Sequence, residues 1–117
     1  MANPVAWFEI TGKDADALQR FYGDIFGWEY EQAPGPGKYG MVSAGEGGIG
    51  GGVGQAQDGQ GHVTIYVEVD DPQAYLDKIE KQGGKTVVPV TEIPNMVTFA
   101  LFADPEGHQV GLFKGQS

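Results

Sequence analysis

The sequence predicts an α+β fold: two βαβββ modules in pseudo-twofold repeat, forming a curved mixed sheet (a cup) with the helices on its outer face. Two observations lead there. The first is self-similarity. When the chain is slid by 57 residues, Asp14 falls on Asp71, Ala17 on Ala74, Gly27 on Gly84, Leu18 on Tyr75, Phe8 on Ile65 and Ile10 on Val67. The second is that each half passes from a β-prone run to a helical pattern and back to β-prone runs. Two such modules joined edge to edge leave one sheet face to line a concave pocket, the usual setting for a small-molecule site.

At 117 residues the chain is read as a single domain, with module 1 at about 1–55 and module 2 at about 61–115. It has no cysteine, which excludes disulfides and thiolate metal sites. The net charge of −9 argues against nucleic acid and anionic membranes as partners and suits a cationic ligand as well as plain solubility. MANPVAWFEI has no basic region followed by a long apolar run, and no 18-residue apolar segment occurs, so the expected location is cytoplasmic.

The elements follow in order. Residues 4–10 form a strand. Asp14 caps a helix over 15–25 whose apolar face is Ala17, Leu18, Phe21, Tyr22 and Ile25, and Gly27 stops it. Trp28 follows this stop as a core residue. Strands are expected at 28–32 and 39–43, separated by the loop Pro34-Gly35-Pro36-Gly37. The glycine run 45–54 has neither phosphate-loop spacing nor a helix behind it, and is read as a bending edge strand or hairpin. After a polar linker over 55–61, strand 62–69 leads through Asp71 and Pro72 into a helix reaching Gln82, with Gly83-Gly84 as its stop. A strand over 85–90, a loop over Thr91–Asn95 and two final strands complete the chain. Ala103-Asp104-Pro105-Glu106-Gly107-His108 is the turn between those last strands, with Pro105 first and Gly107 supplying positive φ.

The chain resembles the vicinal oxygen chelate superfamily, which includes glyoxalase I, bleomycin-resistance proteins and extradiol dioxygenases. The residues that carry the resemblance are Trp7-Phe8-Glu9-Ile10, Phe21-Tyr22-Gly23-Asp24-Ile25-Phe26-Gly27-Trp28, Tyr66-Val67-Glu68-Val69-Asp70-Asp71, Gly83-Gly84 and Asp104-Pro105-Glu106-Gly107. In metal-dependent members each module gives a His from its first strand and a Glu from its last. Those positions fall here on Trp7, Thr64, the run Gly50–Gly54 (Gly54 by the 57-residue shift) and Gly111. None of these side chains suits a divalent metal, so the expectation is no metal and no cofactor, with a metal at a displaced site as the alternative.

Strand alternation places Val5, Trp7 and Glu9 toward the cup and Phe8 and Ile10 toward the helix. In module 2, Val63, Ile65, Val67 and Val69 face the helix, and His62, Thr64, Tyr66 and Glu68 the other side. With Gly111 inward, Gln109 and Phe113 line the pocket too. Glu9 is a candidate general base, desolvated beside Trp7; the plainer reading is a hydrogen-bonded or solvated rim carboxylate. His62 is a candidate acid/base group or off-register ligand, or simply a strand-end residue. His108 is read as a turn residue that caps backbone groups. The expected ligand contacts are Trp7, His62, Thr64, Tyr66, Gln109, Gly111 and Phe113.

Three functions compete. One is metal-free binding of a small aromatic or cationic molecule, in the cup or at a dimer groove, as bleomycin-resistance proteins bind a basic drug. The second is a glyoxalase-type lyase or isomerase acting on a small carbonyl compound, with Glu9 as base or a displaced metal. The third is a structural subunit whose cup is filled by its own side chains. Uncovered strand edges and the resemblance together imply a homodimer.

Overall fold

The computed structural model of the chain describes residues 2–34, 37–94 and 97–114. Gly35 and Pro36 of the first loop and Asn95 of the second lie outside the described residues. The elements are β1 (Val5–Gly12), α1 (Ala15–Phe26), β2 (Tyr30–Gln32), β3 (Tyr39–Val42), β4 (Gly50–Gln55), β5 (Val63–Glu68), α2 (Pro72–Lys81), β6 (Lys85–Ile93), β7 (Val97–Ala103) and β8 (Gln109–Lys114). This is the repeated βαβββ order that the sequence predicts. The chain divides into two compact units, Trp7–Thr64 and the residues up to Ala6 together with those from Ile65 onward. The divisions thus fall inside β1 and β5. No helix among the described residues is long and apolar enough to cross a membrane.

In the unit containing α1 the strand order is β2-β3-β4-β1. The glycine-rich β4 runs antiparallel to β3 and parallel to β1. It forms a hairpin with β3, but it is an interior strand of this unit and not the edge strand expected. The reason is steric. A Cβ at Gly51 would overlap the Phe8 ring, so a bare backbone is what lets large neighbours lie across this strand.

Asp14 caps α1 by accepting the Ala17 N–H at 3.0 Å, and Gly27 ends the helix in the left-handed region at φ 73°. The face it buries differs from the expected one. Ala15 is buried and Leu18, Gln19, Tyr22 and Gly23 are half-buried, whereas Ala17, Phe21 and Ile25 are exposed. Gln19 determines this rotation, because its Nε2 donates to the Val53 carbonyl of β4 at 2.9 Å and its Oε1 accepts from Gln32. Gly40 of β3 lies directly under the Gln19 amide, giving it room to reach the sheet. Trp28 joins Phe8 (5.3 Å between ring centroids), Tyr22 (5.4 Å) and Phe26 (5.7 Å) in an aromatic cluster.

The other unit orders its strands β5-β8-β7-β6. Val69, Leu76, Ala100 and Leu112 form its core, with Val67, Ile79 and Phe102 packed around them. Of the four residues expected to face the helix, Val67 and Val69 do so. Val63 and Ile65 are exposed, because this core with α2 reaches only the end of β5. Asp71 caps α2 by accepting the Ala74 N–H at 3.2 Å, so the two N-caps keep the 57-residue spacing. The helix ends do not. Helix α2 is 10 residues long against 12 for α1, and the positive-φ glycine after it is Gly83. Strand β6 continues to Ile93 through two register irregularities, so Thr91–Ile93 are strand and not loop. The turn after β7 is as expected: the Gly107 N–H donates to the Asp104 carbonyl at 2.9 Å, and Gly107 has φ 90°.

One group in the α1 unit is out of balance. The Tyr30 hydroxyl is buried with no hydrogen-bond partner among the described residues. Its pKa is raised, first by desolvation and then by Tyr22. An unpaired buried hydroxyl is destabilising. Tyr30→Phe is therefore expected to keep or raise stability, by about 1 kcal/mol, in urea unfolding; a clear loss would show that the hydroxyl has a partner.

Candidate functional site

The β1–β4 register sets Trp7 opposite Gly50 and Glu9 opposite Gly52, and the β3–β4 register sets Tyr39 opposite Gly54. Trp7, Glu9 and Tyr39 are all half-buried. Trp7 Nε1–H donates to the Tyr39 hydroxyl oxygen at 3.0 Å, and the Tyr39 O–H donates to Glu9 Oε2 at 3.0 Å. The Tyr39 ring occupies the space that a Cβ at Gly52 would need, and Trp7 lies against Gly50. The result is two aromatic rings against the glycines of β4, with a carboxylate held at one edge. Such a face offers ring surfaces for stacking and a negative charge for a cation or N–H donor. Tyr39 is the residue that sequence reading missed. Its signal was modest: an aromatic residue at the mouth of the strand preceding the glycine run.

In the other unit, Tyr66 pairs with Gly111. The Tyr66 ring fills the space a Cβ at Gly111 would need, and the residue is only 8% exposed. Leu112 points into the core, which leaves half-buried Gln109 and Phe113 on the Gly111 side of β8. Thr64, which belongs to the Trp7–Thr64 unit, is buried at 4% exposure.

The registers refine the repeat. Glu9 and Tyr66 are 57 residues apart on the first strands of the modules, and their partners Gly52 and Gly111 are 59 apart. Gly52, and not Gly54, is therefore the first-module counterpart of Gly111. Trp7, Thr64, Gly52 and Gly111 provide no carboxylate and no imidazole. At both glycines the volume that a longer side chain would take is held by a tyrosine ring. This donor set does not fit a divalent metal. Among the described residues, no group of three or more His, Asp or Glu is placed to hold one.

The two histidines are engaged in turns. His62 exchanges backbone hydrogen bonds with Thr11, and its Nε2 lies 2.8 Å from Asp58 Oδ2. The Gln60 N–H, the His62 ring and the Gly61 N–H lower the Asp58 pKa to about 2. His108 bonds Asp104 through its N–H at 2.9 Å and its Nδ1 at 3.0 Å. That N–H is the main cause of a lowered Asp104 pKa. An open cleft of about 460 Å³ lies between Asn3, Glu68, Tyr75 and Lys114, lined by none of the expected site residues.

The chain matches the glyoxalase-like domain family over residues 7–113. It belongs to that family, within the vicinal oxygen chelate superfamily. This glyoxalase-like domain is 31% identical over 115 residues to CFP32 of Mycobacterium bovis, provisionally named a glyoxylase, covering 92% of the domain and 44% of that protein. It thus spans less than half the length of this relative. A glyoxylase-like domain-containing protein of Didymella fabae is 29% identical over 116 residues, covering 89% and 88% of the two chains. Among solved structures, methylmalonyl-CoA epimerase from Mycobacterium tuberculosis superposes with a TM-score of 0.72 at 12% identity over 97% of this chain and 88% of its own. A Streptomyces coelicolor methylmalonyl-CoA epimerase variant gives 0.70 at 16% identity over 100% of both chains. At these identities the likeness concerns fold alone.

The two ring-over-glycine contacts differ in kind. Gly111 faces the near part of the buried Tyr66 ring, and Gly52 faces the far end of half-buried Tyr39. Gly111→Ala is expected to cost about 1–3 kcal/mol in denaturant unfolding, and Gly52→Ala less, because what the new methyl meets there is the far end of a side chain. An equal or reversed ranking would contradict this arrangement.

Proposed function

We propose that this glyoxalase-like domain binds a small organic molecule bearing an aromatic ring or a positive charge, at the face made by Trp7, Tyr39 and Glu9, without the divalent metal of its superfamily. The observation that carries this reading is the hydrogen-bond chain from Trp7 through Tyr39 to Glu9. It fixes both rings and the carboxylate in advance, so little side-chain freedom is lost when a ligand arrives. The net charge of −9 favours the approach of a cation. Thr64, of the same unit, is read as a further ligand contact, and the setting as cytoplasmic.

A second reading rests on the same bond. A carboxylate held in one orientation by Tyr39 meets the positional requirement of a general base, as a lyase or isomerase acting on a small carbonyl compound would need. Solvent deuterium incorporation next to a carbonyl, abolished in Glu9→Gln, would support it.

Trp28→Phe leaves Trp7 as the single indole, so its fluorescence reports the site directly. Titration with protonated aromatic amines and their neutral isosteres is expected to saturate. Glu9→Gln should weaken the amines by on the order of tenfold, the loss of one charge-assisted hydrogen bond, and spare the isosteres. No saturable response to either class, with calorimetry in agreement, would overturn the proposal.

A further inference from the structure

Strand β2 carries the face of Trp7, Tyr39 and Glu9 further across its unit. The β2–β3 register sets Glu31 opposite Met41, the β3–β4 register sets Met41 opposite Gly52, and the β1–β4 register sets Gly52 opposite Glu9. Residues directly opposite on neighbouring strands share a sheet face. Glu31, Met41, Gly52 and Glu9 therefore form one row across β2, β3, β4 and β1. Their neighbours in sequence fix which face it is. Gln32 bonds Gln19 of α1, the Tyr30 ring lies beside Gly23 of α1, and Phe8 packs on Trp28. Glu31, between Tyr30 and Gln32, thus points away from the helix, as Glu9 beside Phe8 does.

The row has a carboxylate at each end and no charge between them. Where Gly52 leaves a gap, the Tyr39 ring fills it, and half-buried Met41 stands next in the row. A ring and a thioether make an apolar, adaptable floor. The two ends are three strand spacings apart, about 14 Å along the sheet. They also differ in what already holds them. Glu9 accepts the Tyr39 O–H, whereas Glu31 is exposed. The ion pairs among the described residues are Lys38–Asp16, His62–Asp58 and His108–Asp104, so Glu31 takes part in none of them.

We infer that the ligand of this face is an elongated dication, with an ammonium group at each end and an apolar, aromatic middle. Glu9 holds one end and Glu31 the other, and the middle lies over Tyr39 and Met41. This rests on the reading of the Trp7, Tyr39 and Glu9 face as a ligand site, and it adds Glu31 and Met41 to that site. The net charge of −9 draws in every cation, so charge alone does not discriminate among them. The spacing of the two carboxylates does, because a monocation or a short dication leaves Glu31 with water. When one molecule makes both contacts, the second is intramolecular and adds to affinity even where it is weak alone.

Calorimetric titration of the full chain with matched amines tests this. The long pair is 4,4′-bis(aminomethyl)biphenyl and its monoamine; the short pair is 1,4-bis(aminomethyl)benzene and benzylamine. At low ionic strength the long diamine is expected to bind about fivefold or more tighter than its monoamine, whereas the short diamine should gain only the roughly twofold that two equivalent ends give. In Glu31→Gln the gain of the long diamine should fall to about twofold. Glu106→Gln removes the same charge from the other unit and should leave that gain at its wild-type size. Melting temperatures should stay near wild type, since both substituted side chains are exposed. If the long diamine gains no more than the short one, or if its gain survives Glu31→Gln, the inference is overturned, while binding of the monoamines keeps the reading of the Trp7 face intact. If none of the amines binds, both fall together.

Discussion

The contact of an aromatic ring with bare strand backbone, made twice, governs the interior faces of this domain. Tyr39 lies over Gly52 and Tyr66 over Gly111. In each unit the ring occupies the place where a side chain from the last strand of the module would otherwise project. The consequence in the α1 unit is chemical. With Tyr39 laid flat over β4, its hydroxyl reaches both Trp7 on one side and Glu9 on the other. Without the glycine the ring could not lie there, and without the ring the indole and the carboxylate would not be joined. The same contacts put tyrosine rings, and no carboxylate or imidazole, at positions 52 and 111.

Much of the architecture was legible because it depends on local chemistry. Asp14 and Asp71 announce their helices by side-chain capping, and the structure shows both accepting the N–H three residues on. Pro72, Gly27 and Gly107 act through backbone preferences that neighbours cannot overrule. Alternation placed Trp7 and Glu9 on one side of β1 and Phe8 on the other. What was not legible depends on contacts distant in sequence. Helical periodicity gives α1 an apolar strip but does not say which strip docks. Gln19, a polar residue, decides this by bonding to Val53 of β4, and Phe21 and Ile25 turn outward as a result. Likewise, glycine content suggested a strand edge. Only the register shows that a strand with four glycines is suited to an interior place in its unit, where the neighbours' rings cover it.

The candidate site divides in the same way. Positions 7, 64 and 111 were reached by counting from turns and caps, and the register moves the fourth from Gly54 to Gly52. Tyr39 escaped because its importance comes from partners 30 and 32 residues away. No spacing rule within β3 marks it. His62 and His108, which catch the eye as the only two histidines, are each bonded to an aspartate four residues earlier. Such Asp–His turns are local structures that histidine content alone cannot distinguish from functional groups.

The joining of Trp7 to Glu9 by the Tyr39 hydroxyl is the central claim, and proton NMR of the Trp7 indole reads it most directly. Tyr39→Phe keeps the ring over Gly52 and removes only the hydroxyl. The Trp7 indole N–H resonance should then move upfield and exchange faster with water, while that of Trp28 stays in place. A Trp7 resonance identical in wild type and Tyr39→Phe would contradict the bond, and with it the preorganised face on which the functional reading rests.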